Sequence, residues 1–284
     1  MTEAARKIEQ RPLRGAIRIE DAVKIYGDPQ SGVIAVDHCS LECPPGEITM
    51  VVGPSGCGKT TLLNAIAGFH SLTSGKIYLD GEMLCGPGRP KADPGPERIV
   101  VFQNGALFPW KTNLDNVTFG PMMQGTMSAS EARDKARILM AEAGLSSIVH
   151  EYPGQVSSGM RRRVEIVRAL MNDPKVLLLD EPYRALDALT KSVMHESLLQ
   201  TCYRNRVTVF FITHDLEEAI FLGDQVAIMT SRPCRTKKIL KIDLPHPRDH
   251  HTRTTKRFRE LMDETMETVH EEAQKAFELG EREG

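Results

Sequence analysis

No apolar run in this chain comes near the roughly 18 residues a membrane span requires. The longest, VLLLD from Val176 and VTVFFIT from Val207, end far short of it. The opening residues, MTEAARKIEQRPLRG, lack the apolar stretch of a secretory signal, so a cytoplasmic protein is expected. A strong charge of either sign is also missing. The net charge is -2, with 26% charged and 40% apolar residues, which gives no sign of a general nucleic-acid binder and is near the average for globular proteins. Cysteine pairing is absent as well: Cys39, Cys43, Cys57, Cys85, Cys202 and Cys234 form no CxxC pair and match no histidine spacing for zinc. Reduced thiols are expected. Neither an internal repeat nor a low-complexity segment is evident, and 284 residues can bury one large core or two small ones.

What is present alternates in type along the chain. AIRIEDAVKIYG, from Ala16, alternates apolar and polar residues as a half-exposed strand does. VIAVDHCSLECPPGEITMVVG reads as two strands parted by PPGE, the second apolar enough to be covered on both faces. RPKADPGPER is a proline-rich surface loop, after which apolar spacing turns helical from Leu114 to Val149, with Ser128 and Glu131 set as a capping box. Two later stretches, through VLLLDEP and VTVFFITHD, each join a helix to a continuous apolar strand. That order predicts an α/β fold with a parallel sheet. From about His250 the pattern is polar and helical, either a solvated amphipathic helix or one that binds a partner.

GPSGCGKTT, Gly53 to Thr61, follows a predicted buried strand and opens a predicted helix. This is the setting of a phosphate-binding loop. The small residues Gly53, Pro54, Ser55, Gly56, Cys57 and Gly58 let backbone N–H groups turn inward around phosphates. Lys59 neutralises the β/γ charge, Thr60 offers a hydroxyl to Mg²⁺, and Thr61 follows as a further nucleotide-binding candidate. Cys57, inside that loop, is a candidate for alkylation or oxidation. VLLLDEP ends a strand on Asp180 and Glu181: one carboxylate for the magnesium shell, the next to orient or deprotonate a water. A second short polar stretch, VSSGM from Val156, opens a basic helix and so exposes a second set of N–H donors. Arg161, Arg162 and Arg163 follow at once; three adjacent side chains splay around more than half a helix, so a solvated face is expected and no nucleic-acid partner.

These motifs, in this order, resemble the nucleotide-binding subunits of ABC transporters over roughly Ile17 to Pro247. The resemblance implies a P-loop NTPase of ABC type: a mostly parallel core sheet, an N-terminal antiparallel β subdomain and a helical subdomain at about 104–160, within an ATPase domain at 17–250. A flexible arm at 1–16 and an amphipathic helix at 251–284 flank it. It implies ATP and Mg²⁺ as ligands, with Gln103 of VFQNGALFPW as a catalytic and metal-contacting residue. His214 of ITHDLEEA becomes the γ-phosphate switch, Asp187 of ALDALT the D-loop acid, and Tyr26 the aromatic that stacks on adenine. Ser157, Ser158 and Gly159 form the signature that faces the nucleotide of a second ATPase subunit across a head-to-tail dimer. Flanks such as KIDLPHPRD look most like importers of nitrate, sulfonate or taurine. On that reading the partners are integral membrane permease subunits and, indirectly, an external solute-binding protein, and the chain is peripheral at the cytoplasmic membrane face. The alternatives are a soluble, non-transport ABC ATPase and a weakly active regulatory subunit.

Two residues depart from the family pattern. Ser158 replaces the first glycine of the usual L-S-G-G-Q, where a β-carbon crowds phosphate or disfavours a positive φ, and slower closure is expected. Arg184 of EPYRALD replaces a small residue and either reaches the partner's nucleotide or points to solvent. Trp110, similarly, is either part of a permease-facing surface or ordinary subdomain core.

Overall fold

A computed structural model of the chain describes residues 12–28, 31–184 and 186–278. Most of the expected arm at 1–16, and the last six residues of the expected terminal helix, lie outside them.

Among the described residues, ten strands form two sheets. The four-stranded sheet, order β2-β1-β4-β5, is antiparallel and uses β1 (Ile17–Tyr26), β2 (Val33–Cys43), β4 (Ser74–Leu79) and β5 (Glu82–Cys85). Its first two strands alternate buried and exposed side chains, because one face packs on the core and the other is wet. The six-stranded sheet, order β10-β9-β3-β8-β7-β6, adds β3 (Ile48–Val52), β6 (Arg98–Val101), β7 (Val176–Asp180), β8 (Thr208–Ile212), β9 (Gln225–Met229) and β10 (Thr236–Lys241). Its neighbours run parallel except β9 and β10. Every residue of β3, β8 and β9 is buried. Parallel strands roofed on both faces need such continuous apolar sequence.

Register decides where chemistry can gather. Val51 pairs with Ile212, Asp180 with Ile212, and Val101 with Leu179, so β3, β8, β7 and β6 end at one level. The loops that follow them carry the P-loop, His214, Glu181 and Gln103. All four leave the carboxyl edge of the sheet, the side on which open α/β sheets bind ligands.

Among the described residues seven α-helices complete the fold: α1 (Lys59–Ala67), α2 (Asn113–Met123), α3 (Ala129–Glu142), α4 (Ser158–Leu170), α5 (Ala188–Asn205), α6 (Leu216–Leu222) and α7 (Lys256–Glu278). The Ser128–Glu131 capping box expected ahead of α3 is formed in both directions. Helices α2, α3 and α4 share a core of Val117, Ala132, Ala136, Met140 and Val164. The face of α7 that bears Phe258 and Leu261 packs into the main core, and Glu272 accepts from Ser231 N at 3.0 Å. Over its described length, then, α7 is docked on its own chain on one side and wet on the other.

Candidate nucleotide site

Between β3 and α1 the backbone turns so tightly that glycine is required. Gly58 has φ +122, and a β-carbon there would stand 2.3 Å from the Ala35 carbonyl oxygen. As N-cap of α1 it offers no side chain, so the first N–H groups of that helix point into the loop without a side-chain cap, the arrangement that receives anions. Lys59 is buried, and its Nζ donates to the carbonyls of Gly53 at 2.7 Å and Pro54 at 2.8 Å. The loop is thus closed on its own lysine. Cys57 also lies against Lys59 Nζ, at 3.8 Å. The Cys234 thiol hydrogen-bonds Cys57 and, against burial, with the Lys59 charge, holds it down at about 6. All six cysteines are free and buried.

At the end of β7, Asp180 accepts the Thr60 hydroxyl at 3.1 and 3.3 Å. Burial raises the Asp180 carboxyl above its ordinary range, an effect the Thr60 hydrogen bond opposes. A hydroxyl and a carboxylate side by side are hard oxygen donors of the kind Mg²⁺ takes, so this pair fits the metal the motif implies. Glu181, the next residue, adopts a left-handed φ of 43°. That conformation costs a side-chain-bearing residue roughly 1–2 kcal/mol. Its N–H is tied to the Ile212 carbonyl at 3.0 Å, which holds the strained turn in place. The Glu181 carboxylate lies beside three other groups. Gln103 Nε2 lies 3.5 Å from Glu181 Oε2, His214 Nδ1 3.4 Å, and Arg184 Nη1 3.5 Å. The Arg184 guanidinium, 58% exposed, lies against its own chain's Glu181.

Tyr26 stands at the other side of the loop. Its hydroxyl is 2.7 Å from His70 Nδ1 and 3.4 Å from Thr61 Oγ1, and its ring is partly exposed beside the P-loop helix.

The remaining predicted residues make their contacts elsewhere within the chain. Ser157 is the N-cap of α4, its oxygen accepting from Met160 N at 3.3 Å. Ser158 opens that helix and has no positive φ, so the backbone penalty expected of a serine there does not arise. Gly159 sits close to α5: a β-carbon would stand 2.9 Å from Thr190 Cγ2 and force that side chain to shift. Asp187 caps α5 through Thr190 N at 2.9 Å, and the hydrogen bonds from Thr190 hold its carboxyl below the ordinary range.

One expectation is overturned. The arginine run is not a solvated face: Arg162 is buried and donates to the carbonyls of Phe102 at 2.8 Å and Gln103 at 2.7 Å. It pairs with Glu165 at 2.5 Å. Glu165 in turn accepts from Ala106 N at 2.8 Å, and Arg168 donates to Ala106 O at 2.7 Å. One face of α4 thereby clamps the loop that carries Gln103. Arg162, Glu165 and Arg168 recur at intervals of three, so a helical face could have been read from them. Trp110 is 71% exposed and so belongs to no core; it stacks at a tilt on Phe108, 5.6 Å away.

The ABC transporter family profile matches residues 36–184. An uncharacterised ABC transporter ATP-binding protein of Methanocaldococcus jannaschii is 42% identical over 265 residues, covering 93% of this chain and 95% of its own length. The nitrate import ATP-binding protein NrtD of Synechococcus elongatus is 41% identical, covering 83% of this chain and 84% of its own. The bicarbonate transport ATP-binding protein CmpD of a Synechocystis species is 41% identical, covering 82% and 81%. Among solved structures, a dimeric ATP-binding cassette in a post-hydrolysis state bound to ADP and phosphate superposes with a TM-score of 0.68 at 28% identity, covering 80% of this chain and 98% of that one. A nucleotide loop at the carboxyl edge of a parallel sheet, a strained glutamate beside it and relatives of this length agree: the chain belongs to the ATP-binding ATPases of the ABC transporter family.

Proposed function

We propose that two copies of this chain close head to tail around two MgATP and drive import of a small anion through a separate membrane permease. The observation that carries the reading is the gathering of Lys59, Thr60 with Asp180, and Glu181 with His214 and Gln103 at one edge of the sheet. Lys59 exchanges its loop carbonyls for β- and γ-phosphate oxygens, and the N-terminus of α1 holds the same group through backbone donors. Thr60 and Asp180 would hold Mg²⁺, which would supply neutralisation of the phosphate charge. Glu181 accepts a proton from the attacking water, while His214 fixes the carboxylate and senses the γ-phosphate. Tyr26 stacks on the base. Ser157, Ser158, Gly159 and Asp187 act on the partner's nucleotide, so each site is completed only by closure.

The partner surface follows from the same loops. A cleft of about 320 Å³ is lined by Phe102, Phe108, Phe119 and Arg168, with Trp110 exposed beside it. A short permease helix seated there would press on the loop that carries Gln103 and so link nucleotide state to the membrane. Among the described residues no helix is long and apolar enough to cross a bilayer, and in this reading the translocation path belongs to the permease. The small-anion assignment draws on relatives named for nitrate and bicarbonate transport; a solute-binding protein would confer the final selectivity.

The test is affinity purification of the tagged chain from detergent-solubilised membranes of its own cells. Stoichiometric recovery of an integral membrane protein is expected. Recovery of soluble partners alone, with ATPase activity intact, would move the chain to non-transport ATPase work. The Arg184–Glu181 contact favours a second reading, a subunit whose turnover is restrained. Ser158→Gly and Arg184→Gly separate the two: a several-fold gain in turnover supports restraint, and none supports the first reading.

A further inference from the structure

A buried polar chain runs from the C-terminal segment toward the nucleotide site. It begins at Arg253, in the short turn His250–Thr254 that leads into α7. The Arg253 guanidinium lies 3.7 Å above the Phe221 ring, Nη1 donates to Ser192 Oγ at 3.3 Å, and Nε is 2.8 Å from Glu217 Oε1. Its Nη2 is 3.1 Å from His195 Nδ1. His195, on α5, is almost fully buried, and its Nε2 is 2.8 Å from Oε1 of the equally buried Glu218 on α6. The second Glu218 oxygen accepts the Thr213 hydroxyl. Thr213 also accepts from Asp215 N at 3.0 Å, so both neighbours of His214 are anchored by one hydroxyl.

The chemistry of these groups fixes the direction of every bond. A guanidinium only donates, so His195 Nδ1 presents its lone pair and the ring proton is on Nε2, where it donates to Glu218. Glu218 then accepts from His195 on one oxygen and from Thr213 on the other. From Arg253 Nη2 through His195 and Glu218 to Thr213 each donor meets an acceptor, whereas Arg253 Nε, although 2.8 Å from Glu217, is buried without a hydrogen bond; a buried path of this kind is costly when cut. The His195 ring also packs 5.4 Å from Tyr183, which is two residues past Glu181. One imidazole therefore backs both the His214 corner and the Glu181 turn.

We infer that Arg253, His195 and Glu218 are positioning residues for ATP hydrolysis, through which the C-terminal segment holds His214 and Glu181 in register. The inference rests on the roles of His214 and Glu181 proposed above. Whatever pulls Arg253 from His195 releases the corner between β8 and α6, so the turn ahead of α7 is a control point on turnover.

The test uses full-length protein and steady-state ATPase kinetics. Arg253→Ala and His195→Leu should lower kcat on the order of 10-fold, less than the roughly 100-fold loss a full 1 Å displacement of a reacting group brings. KM for ATP should stay within a factor of about 2, because uniform binding is untouched. His195→Gln, whose amide offers an acceptor and a donor, should keep most of the turnover. In a His214→Ala background Arg253→Ala should cost nothing more. Parent-like kcat for Arg253→Ala alongside an impaired His214→Ala would overturn the inference and leave the switch reading intact. Full turnover by His214→Ala itself would remove the switch reading and this inference with it. If His195→Leu does not fold, nitrogen-correlated NMR of the parent imidazole decides: a proton on Nε2 supports the chain as drawn, and one on Nδ1 refutes it.

Discussion

Replacing Arg162 with methionine isolates the clamp on the Gln103 loop. The substitution keeps the buried stem but removes the donors to the Phe102 and Gln103 carbonyls and leaves Glu165 buried without its cation. Breaking one partner out of a buried ion pair costs about 3–5 kcal/mol, set against a total stability of roughly 5–15 kcal/mol for a folded domain. For a chain of this size that loss lowers the thermal midpoint by roughly 10 °C. Adding Glu165→Gln removes the stranded charge while its amide oxygen still accepts from Ala106 N, so the double variant should be more stable than Arg162→Met alone. Circular dichroism melts measure the midpoints, and ATPase assays well below them measure turnover. Turnover of Arg162→Met should fall although every P-loop residue is intact, because Gln103 loses its hold. A midpoint within about 2 °C of the parent would refute the reasoning, since no buried pair of this geometry is that cheap to break.

Other outcomes follow from the charges. Burial would raise the Glu272 carboxyl, yet hydrogen bonds from Lys237, Lys275 and Ser231 N bring it down to about 2. Its stabilising effect is therefore present above the ordinary glutamate range and lost as pH falls through about 2. Glu272→Gln should unfold more easily than the parent at pH 7, by roughly 1–3 kcal/mol, with the gap closing in acid melts between about pH 4 and 2. Cys57, held at about 6 but buried, should react slowly with iodoacetamide, at a rate that levels off by about pH 7 and falls as pH drops below 6; Cys234→Ala should move that limb upward, and ATP should protect. A parent profile that breaks near the ordinary thiol value would contradict the cluster. Ser158→Gly removes a side chain from a helical position and should leave turnover nearly unchanged. A large gain would show that the serine obstructs the partner's nucleotide.

Much of the site is legible in the sequence because its parts are local. GPSGCGKTT, VLLLDEP and ITHDLEEA each join a buried strand to the residue it delivers, and apolar runs place the strands without any long-range information. The contacts between those parts are not local and escaped the same reading. Arg162 sits in a basic run that alone suggests a wet helix face; only the packing of α4 against the loop at 102–106 shows that its partners are backbone carbonyls. Arg184 has a target that depends on the left-handed turn at Glu181, and no residue type in EPYRALD announces that turn. Glu272 looks like one more surface acid in a charged helix, yet it is buried against Ser231 and Lys237.

The most direct test of the account is Glu181→Gln, compared with the parent by light scattering with and without MgATP and by ATPase assay. The exchange keeps the shape and removes the base, so the variant should bind ATP, lose turnover and accumulate as a dimer only when MgATP is present. Turnover equal to the parent would remove Glu181 from the reaction, and a monomer at saturating MgATP would remove closure around the nucleotide.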